Sequence, residues 1–270
     1  MGDADPSMMA MGVSDPSLMP SVTPRELTGG PPAVNEPSVP PSVPLNVSTT
    51  VPPAVRSWPV FRSPPAGAGF VLVFAPGAGG TTAKATVRLL EQLEREAGVV
   101  VRRCEPVCWD TRDAGSAHNC HAVLQVAAVA ALDYPLRRIV LCGASFGSRV
   151  VAEVMRRHHA ALPARTALAL ILCGYPLSAP SEPAQLTAAR ATHLLKLPSG
   201  LRVLIVQGED DEYLGPLGLG ALRGVMNRMA CAVELHVVAG GGHGMPAADR
   251  KALTAVRVAL LTFLGRLPCE

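Results

Sequence analysis

The chain has 270 residues, a formal net charge of +3 and an apolar fraction of 49%. This length allows one domain with a sizeable core plus an appendage, and so small a net charge gives no reason to expect nucleic acid as a partner. No run reaches the ~18 consecutive apolar residues of a membrane span, and the N-terminus lacks the apolar segment of a secretory signal, so we expect no membrane partner and a cytoplasmic or nuclear location.

The first 65 residues form a proline-rich segment that contains 15 of the 26 prolines. Such a segment lacks apolar periodicity and cannot offset its chain entropy, which predicts a disordered tail over residues 1–65. We favour an inert tail. The alternative is a docking arm for a protein partner that binds proline-rich strands.

Residues 66–270 are predicted to form one domain, because short apolar runs there alternate with longer amphipathic segments. The apolar runs predict six strands: 70–76, 98–106, 137–143, 167–176, 201–208 and 233–240. The amphipathic segments predict helices over 84–98, 116–133, 147–162, 218–230 and 247–267. Strands that are apolar on both faces and separated by helices indicate a mostly parallel sheet in a three-layer α/β/α sandwich.

The stretch GASFG after the third predicted strand has the pattern G-x-S-x-G, with Ser145 at its centre. A serine at a strand-to-helix turn between Gly143 and Gly147 can be held in a strained conformation that exposes its hydroxyl above the sheet. The competing interpretation is an ordinary glycine-rich turn. The strand before and the helix after the motif favour a nucleophile.

An acid and a histidine follow the last two predicted strands. GEDDEY follows the fifth strand, and of its acids we choose Asp211 as the partner of a catalytic histidine, with Asp210 in reserve. His243 follows the sixth strand in a glycine-rich loop, where a histidine is poorly explained by packing and suits a general base. The order Ser145, Asp211, His243 is the one expected of α/β-hydrolases.

The turn APGAGGTTAK after the first strand is rich in glycine, a feature also found in phosphate-binding loops. Both nucleotide motifs fail here, because Lys84 does not follow a glycine and Thr82 stands where a dinucleotide fold needs its third glycine. We expect the turn instead to supply an oxyanion-hole N–H from Ala78, with Gly79 beside the substrate, and the N–H of Phe146 to supply the other.

The seven cysteines, an odd number mostly within apolar runs, predict buried reduced thiols rather than disulfides. One group of side chains is a candidate metal site, but its spacing matches no common zinc template: Cys104, Cys108, His118, Cys120 and His121. We therefore expect no metal and no cofactor.

A family resemblance rests on five stretches: FAPGAGG, GASFGSR, CGYPLSAPSEPAQL, VQGEDDE and GGGHGM. Together they resemble the small α/β-hydrolase family of dienelactone-hydrolase-like proteins, including its branch with a testis-expressed protein and the hydrolase-like subunit of the NSL complex. The resemblance covers about residues 68–265 and implies a hydrolase core with its triad on Ser145, Asp211 and His243. The sequence departs from the family pattern at Ser178 and Gly242. Neither residue belongs to the triad, and we expect both departures to affect the shape of the substrate pocket.

The predicted function is hydrolysis of a carboxylic ester or related acyl bond in a small-molecule or acylated substrate, through an acyl-enzyme on Ser145. Only ~25 residues separate the fourth and fifth strands, which excludes a large cap domain. Tyr175, Leu177 and Phe146 either line the pocket or pack the loop. The alternative function is a non-catalytic hydrolase-fold scaffold or regulatory subunit, for example of a chromatin-associated assembly, that uses the proline-rich tail for docking.

Overall fold

The structure is a computed structural model, and it describes residues 69–78, 84–104, 109–178, 184–243 and 250–267. The predicted tail over residues 1–65 lies outside these ranges.

Six parallel strands form a single open sheet. Their bounds are β1 (Phe70–Ala75), β2 (Val100–Arg103), β3 (Arg138–Ala144), β4 (Thr166–Cys173), β5 (Arg202–Gly208) and β6 (Ala232–Val238). The strand order is β2-β1-β3-β4-β5-β6, and every neighbouring pair is parallel. The prediction of a mostly parallel sheet is confirmed.

The described residues include six α-helices, which connect the strands and follow the last one. Their bounds are α1 (Lys84–Ala97), α2 (Ala117–Asp133), α3 (Phe146–His158), α4 (Ala184–Leu195), α5 (Gly218–Met226) and α6 (Arg250–Gly265). α4 lies in the connection between β4 and β5 and is not among the helices predicted from the sequence. That connection, residues 174–201, is too short for a separate cap domain, as predicted.

The helices cover both faces of the sheet and enclose two apolar cores. α1 and α6 pack on one face, where their apolar residues meet alternate residues of β1, β3, β4 and β5. α2, α3, α4 and α5 cover the other face, over the larger core. Because both faces are covered, the inner strands β1, β3, β4 and β5 are largely buried on both sides, which confirms the three-layer α/β/α sandwich.

The strand order reverses between β1 and β3. The chain passes from β1 outward to β2 and then returns to the far side of β1 as β3. In open parallel sheets, ligands bind at the carboxyl ends of the strands beside such a reversal. The turns after β1 and β3 therefore flank the expected position of a functional site.

Across the described parts of the chain, no helix has both the length and the apolar character needed to cross a membrane.

Candidate active site

Ser145 lies on the sharp turn between β3 and α3 with φ 52° and ψ −121°. Among the described residues it is the only non-glycine residue with positive φ. The Ser145 N–H donates to the carbonyl of Cys173 at the end of β4, at 2.8 Å, and the Ser148 hydroxyl donates to the Ser145 carbonyl at 2.5 Å. These bonds hold the strained backbone in place, as expected for a strained functional turn.

The two glycines of the motif allow three backbone segments to meet at this turn. A Cβ added at Gly143 would lie 2.4 Å from the Gly147 carbonyl oxygen, and one added at Gly147 would lie 2.1 Å from the Ala75 oxygen. Real Cβ atoms do not approach backbone so closely, so any other residue would push α3 away from β1 and β3. The end of β1 is consequently pressed against the first turn of α3.

This contact brings both predicted oxyanion-hole residues to the same edge of the sheet. Phe146 is the first residue of α3, where a helix leaves its N–H groups without intrahelical acceptors. Ala78 is exposed just beyond β1, three residues after Ala75. Gly79, predicted to lie beside the substrate, is outside the described residues.

Of the two candidate acids after β5, Asp211 is 4% exposed, whereas Asp210 is exposed to solvent. The backbone N–H of Tyr213 donates to Asp211 Oδ1 at 2.8 Å, so the carboxylate also caps the short 3₁₀ turn that begins at Glu212. The structure therefore brings Asp211, our first choice, and not Asp210 to the histidine.

The loop that carries His243 is attached to the loop that carries the acid. A Cβ added at Gly208, the last residue of β5, would lie 2.2 Å from the Gly241 carbonyl oxygen. The Asp210 N–H donates to that same oxygen at 2.8 Å. This backbone contact holds the loop of His243 against the loop of Asp211.

Ser145, His243 and Asp211 are joined by hydrogen bonds. Ser145 Oγ is 2.7 Å from His243 Nε2, and His243 Nδ1 is 3.0 Å from each of the two carboxylate oxygens of Asp211. An ionised carboxylate can only accept, so the Nδ1 of a neutral imidazole carries the proton and Nε2 is free to accept from the serine hydroxyl. This arrangement can transfer a proton from Ser145 to His243.

The residues predicted either to line the pocket or to pack the loop lie largely in the interior. Tyr175 and Leu177 are fully buried within the larger core, and the Tyr175 hydroxyl donates to the Arg190 carbonyl of α4 at 2.9 Å. Phe146 is 5% exposed, with its ring edge-to-face against Trp109 at a centroid distance of 6.3 Å. Their burial favours the packing role over the pocket-lining role.

Two further residues contact the acid and the histidine, and the sequence analysis did not single them out. Gln207 donates its side-chain amide to Asp211 Oδ2 at 2.5 Å. The Tyr213 ring lies on the His243 imidazole with centroids 4.0 Å apart and an interplanar angle of 32°. The signal for Gln207 was a polar residue at the end of an apolar strand, two residues before the acidic loop.

The cysteines among the described residues are buried free thiols. Burial raises the pKa of Cys104 to about 12 and that of Cys120 to about 11. A hydrogen bond with Cys173, together with burial, raises the pKa of Cys142, three residues before Ser145. Protonated thiols are poor nucleophiles. Within the described ranges, which exclude Cys108, no three His, Cys, Asp or Glu residues are grouped to hold a metal ion.

An open parallel sheet with a serine on the turn after its third strand is the architecture of the α/β-hydrolase class. The chain belongs to the alpha/beta hydrolase domain family (Abhydrolase_11), whose model matches residues 68–259. The resemblance seen in the sequence is confirmed at this level. No curated protein sequence matches the chain.

Solved structures with the same fold include several hydrolases. An α/β serine hydrolase homologue from Coxiella burnetii is 20% identical with a TM-score of 0.52, covering 72% of this chain and 84% of its own. A dienelactone hydrolase from Anabaena variabilis is 17% identical with a TM-score of 0.54, covering 76% and 89%. A serine hydrolase without lid from Xanthomonas campestris is 20% identical with a TM-score of 0.51, covering 74% and 84%. At these identities the likeness establishes the fold.

Proposed function

We propose that this chain is a serine hydrolase that cleaves carboxylic esters or related acyl bonds, with Ser145 as nucleophile, His243 as general base and Asp211 as the orienting acid. One observation carries the proposal: Ser145 Oγ lies 2.7 Å from His243 Nε2 while His243 Nδ1 faces the Asp211 carboxylate. Three residues that are 32 to 98 positions apart in the sequence have no packing reason to form this linear arrangement.

In the first half of the proposed reaction, His243 Nε2 accepts the proton of the Ser145 hydroxyl as Oγ attacks the acyl carbon. The carbonyl oxygen becomes an oxyanion, to which the N–H groups of Phe146 and Ala78 donate. Loss of one such donor costs about 3 kcal/mol of transition-state stabilisation in serine hydrolases. The tetrahedral intermediate collapses when the imidazolium returns its proton to the leaving alcohol, which leaves an acyl group on Ser145.

In the second half, a water molecule gives a proton to His243 Nε2 and attacks the acyl carbon. The same N–H groups stabilise the second oxyanion, and the returning proton restores the Ser145 hydroxyl as the carboxylic acid leaves. Asp211 stays ionised throughout and stabilises the imidazolium that forms in each half. The balance is one ester and one water converted to one acid and one alcohol.

The substrate class follows from the short connection between β4 and β5. Residues 174–201 leave no length for a cap domain above Ser145, so an open site favours small or surface-accessible acyl groups.

We also infer, from the stretches GASFGSR and CGYPL, that the chain belongs to the branch of the family with the testis-expressed protein and the NSL-complex subunit.

The proposal is tested with a fluorophosphonate probe, which phosphonylates an activated serine. We expect labelling of the wild-type chain between pH 6 and 9, and its loss in Ser145→Ala and His243→Gln. Ser199→Ala, at an exposed serine, and His236→Gln, at a histidine inside β6, serve as matched controls that keep the label.

An unlabelled wild-type chain with the same circular dichroism as Ser145→Ala would contradict the proposal and favour the scaffold alternative. Labelling that survives in Ser145→Ala would place the nucleophile on a different residue.

A further inference from the structure

Gln207 is a buried polar residue at the carboxyl end of β5, with no exposed side-chain surface. Its amide makes two hydrogen bonds. Nε2 donates to Asp211 Oδ2 at 2.5 Å, and Oε1 accepts from the backbone N–H of Tyr175 at 2.8 Å. A buried amide with both ends occupied is held in one orientation.

Chemistry determines which end of the amide faces the acid. The Tyr175 N–H can only donate, so the amide oxygen must face it, and the NH₂ group must then face Asp211. An ionised carboxylate can only accept, so the same orientation satisfies both partners.

The Asp211 carboxylate therefore receives donors from three directions. Tyr213 N–H donates to Oδ1, Gln207 donates to Oδ2, and His243 Nδ1 lies 3.0 Å from each oxygen. The first two donors fix the rotation of the carboxyl group about its Cβ–Cγ bond. Without Gln207, Oδ2 would keep only the imidazole, and the Tyr213 N–H alone would hold the rotation of the carboxyl group.

The segment that orients Gln207 is also bonded to the nucleophile turn. The Cys173 carbonyl accepts the Ser145 N–H, the Gly174 N–H donates to the Val206 carbonyl, and the next residue donates to Gln207. Residues 173–175 thus bond to the turn that carries Ser145 and to the strand that precedes Asp211.

We propose that Gln207 is a positioning residue that holds the Asp211 carboxylate in register with His243, through hydrogen bonds to Asp211 and to the segment after β4. This inference rests on the proposed function. Gln207 does not reach the reacting atoms, so its removal slows the reaction without changing how substrate binds.

The test compares Gln207→Met with Asn119→Leu as a matched control. Asn119 is the other fully buried side-chain amide among the described residues, and it bonds the backbone of Asp110 and Asp113 beside α2. Both substitutions replace a buried amide by an apolar side chain of similar size, so both lose stability. Only Gln207→Met removes a donor to Asp211.

We expect Gln207→Met to lower the fluorophosphonate labelling rate and the kcat for p-nitrophenyl acetate by about 10- to 100-fold, as a displaced catalytic group does. KM should stay within about twofold. The rates of Asn119→Leu, once divided by the fraction of the variant that is folded, should stay within about twofold of the wild-type rates. Equal rates in folded Gln207→Met and wild type would overturn the inference.

Gln207→Glu gives a second, milder variant whose effect depends on pH. The introduced carboxylic acid donates to Asp211 only while it is protonated, and its ionisation places a second negative charge beside the first. Labelling of this variant should fall about tenfold or more between pH 6 and 9, whereas wild-type labelling does not fall. A parallel profile for the two chains would count against the positioning role.

The inference and the proposed function fail in different ways. If wild type is not labelled, the proposed function fails, and the role of Gln207 is decided by the proton NMR resonance of His243 Nδ1–H, assigned by its loss in His243→Gln. We expect Gln207→Met to shift or broaden that resonance and Asn119→Leu to leave it in place. An unchanged resonance in Gln207→Met would refute the inference whether or not the chain is an enzyme.

Discussion

Ser145 adopts φ 52° and ψ −121°, a conformation that is unfavourable for any residue with a Cβ. Such strain costs on the order of 1–3 kcal/mol and persists only where the surroundings impose it. Here the surroundings are the hydrogen bonds from Ser145 N–H to Cys173 and from the Ser148 hydroxyl to the Ser145 carbonyl. The fold therefore gives up stability at the one residue whose hydroxyl faces His243.

Comparison of Ser145→Gly with Ser145→Ala isolates this strain, because both variants lack the hydroxyl. Glycine adopts positive φ without steric cost, although it adds entropy to the unfolded chain. We expect Ser145→Gly to have a free energy of unfolding about 1 kcal/mol above that of Ser145→Ala, measured by urea denaturation. At Ser199, where φ is not positive, the glycine variant should be the less stable of the pair. Equal stability at position 145 would contradict backbone strain.

At the scale of the elements, glycines at strand ends decide how closely the loops of the site approach. Gly147 allows α3 to approach the end of β1 closely, and Gly208 allows the loop of His243 to approach β5 closely. In both places the atom that an added Cβ would meet is a backbone oxygen, which cannot rotate away. The distances among the three hydrogen-bonded residues thus depend on two contacts that contain no side chain.

Gly147→Ala should displace the first turn of α3 and lower the free energy of unfolding by about 2 kcal/mol or more, in the range of overpacked core sites. Gly224→Ala is the matched control, since nothing lies within 4 Å of its added Cβ on the exposed face of α5. There alanine should raise stability by about 0.5–1 kcal/mol, because glycine weakens helix interiors. Thermal and urea unfolding measure both. Loss of stability in the control, or none in Gly147→Ala, would contradict this account.

For the whole molecule, the sequence predicted the six strands from their apolar runs. These runs are nearly continuous in the four inner strands, whereas charged or polar residues interrupt them in the edge strands β2 and β6. It also predicted the loops at which Ser145, Asp211 and His243 occur, because in a parallel sheet all strand ends that face one edge can be read from strand direction alone. Which acid would turn inward was a choice between neighbours. It depends on the 3₁₀ turn capped by Asp211, which no periodicity indicates.

Other features could not be read from the sequence, since they depend on contacts between distant segments. α4 has the sequence AQLTAARATHLL, whose small and polar residues give little apolar periodicity, and its packing against α3 and α5 supplies the missing stability. Gln207 gains its role from Tyr175, 32 residues away. Glu153 reads as a surface residue of an amphipathic helix, yet its side chain is fully buried.

Glu153 and His193 join the helix after the nucleophile turn to α4. Burial would raise the pKa of Glu153, but a hydrogen bond from Arg156 and the charge of Arg157 lower it below its usual range. His193 Nε2 lies 3.7 Å from this carboxylate. Burial, aided by the charges of Arg149, Arg156 and Arg157 against the opposing effect of Glu153, lowers the pKa of His193 from 6.5 to about 4. His193 is therefore neutral in the folded chain at neutral pH.

A histidine whose pKa is lower in the folded chain makes stability depend on pH with a definite sign. Between pH 6.5 and about 4 the unfolded chain binds a proton at His193 that the folded chain refuses, so the stabilisation is complete above pH 6.5 and is lost as the pH falls. The loss amounts to up to about 3 kcal/mol by pH 4. His193→Gln keeps a polar side chain beside Glu153 and has no proton to gain, so the stability difference between wild type and this variant should shrink by that amount from pH 7 to pH 4. Urea denaturation at a series of pH values measures it, with His121→Gln on the exposed face of α2 as the control that tracks wild type. If wild type and His193→Gln lose stability in parallel, His193 is not the group that links α3 and α4 to pH.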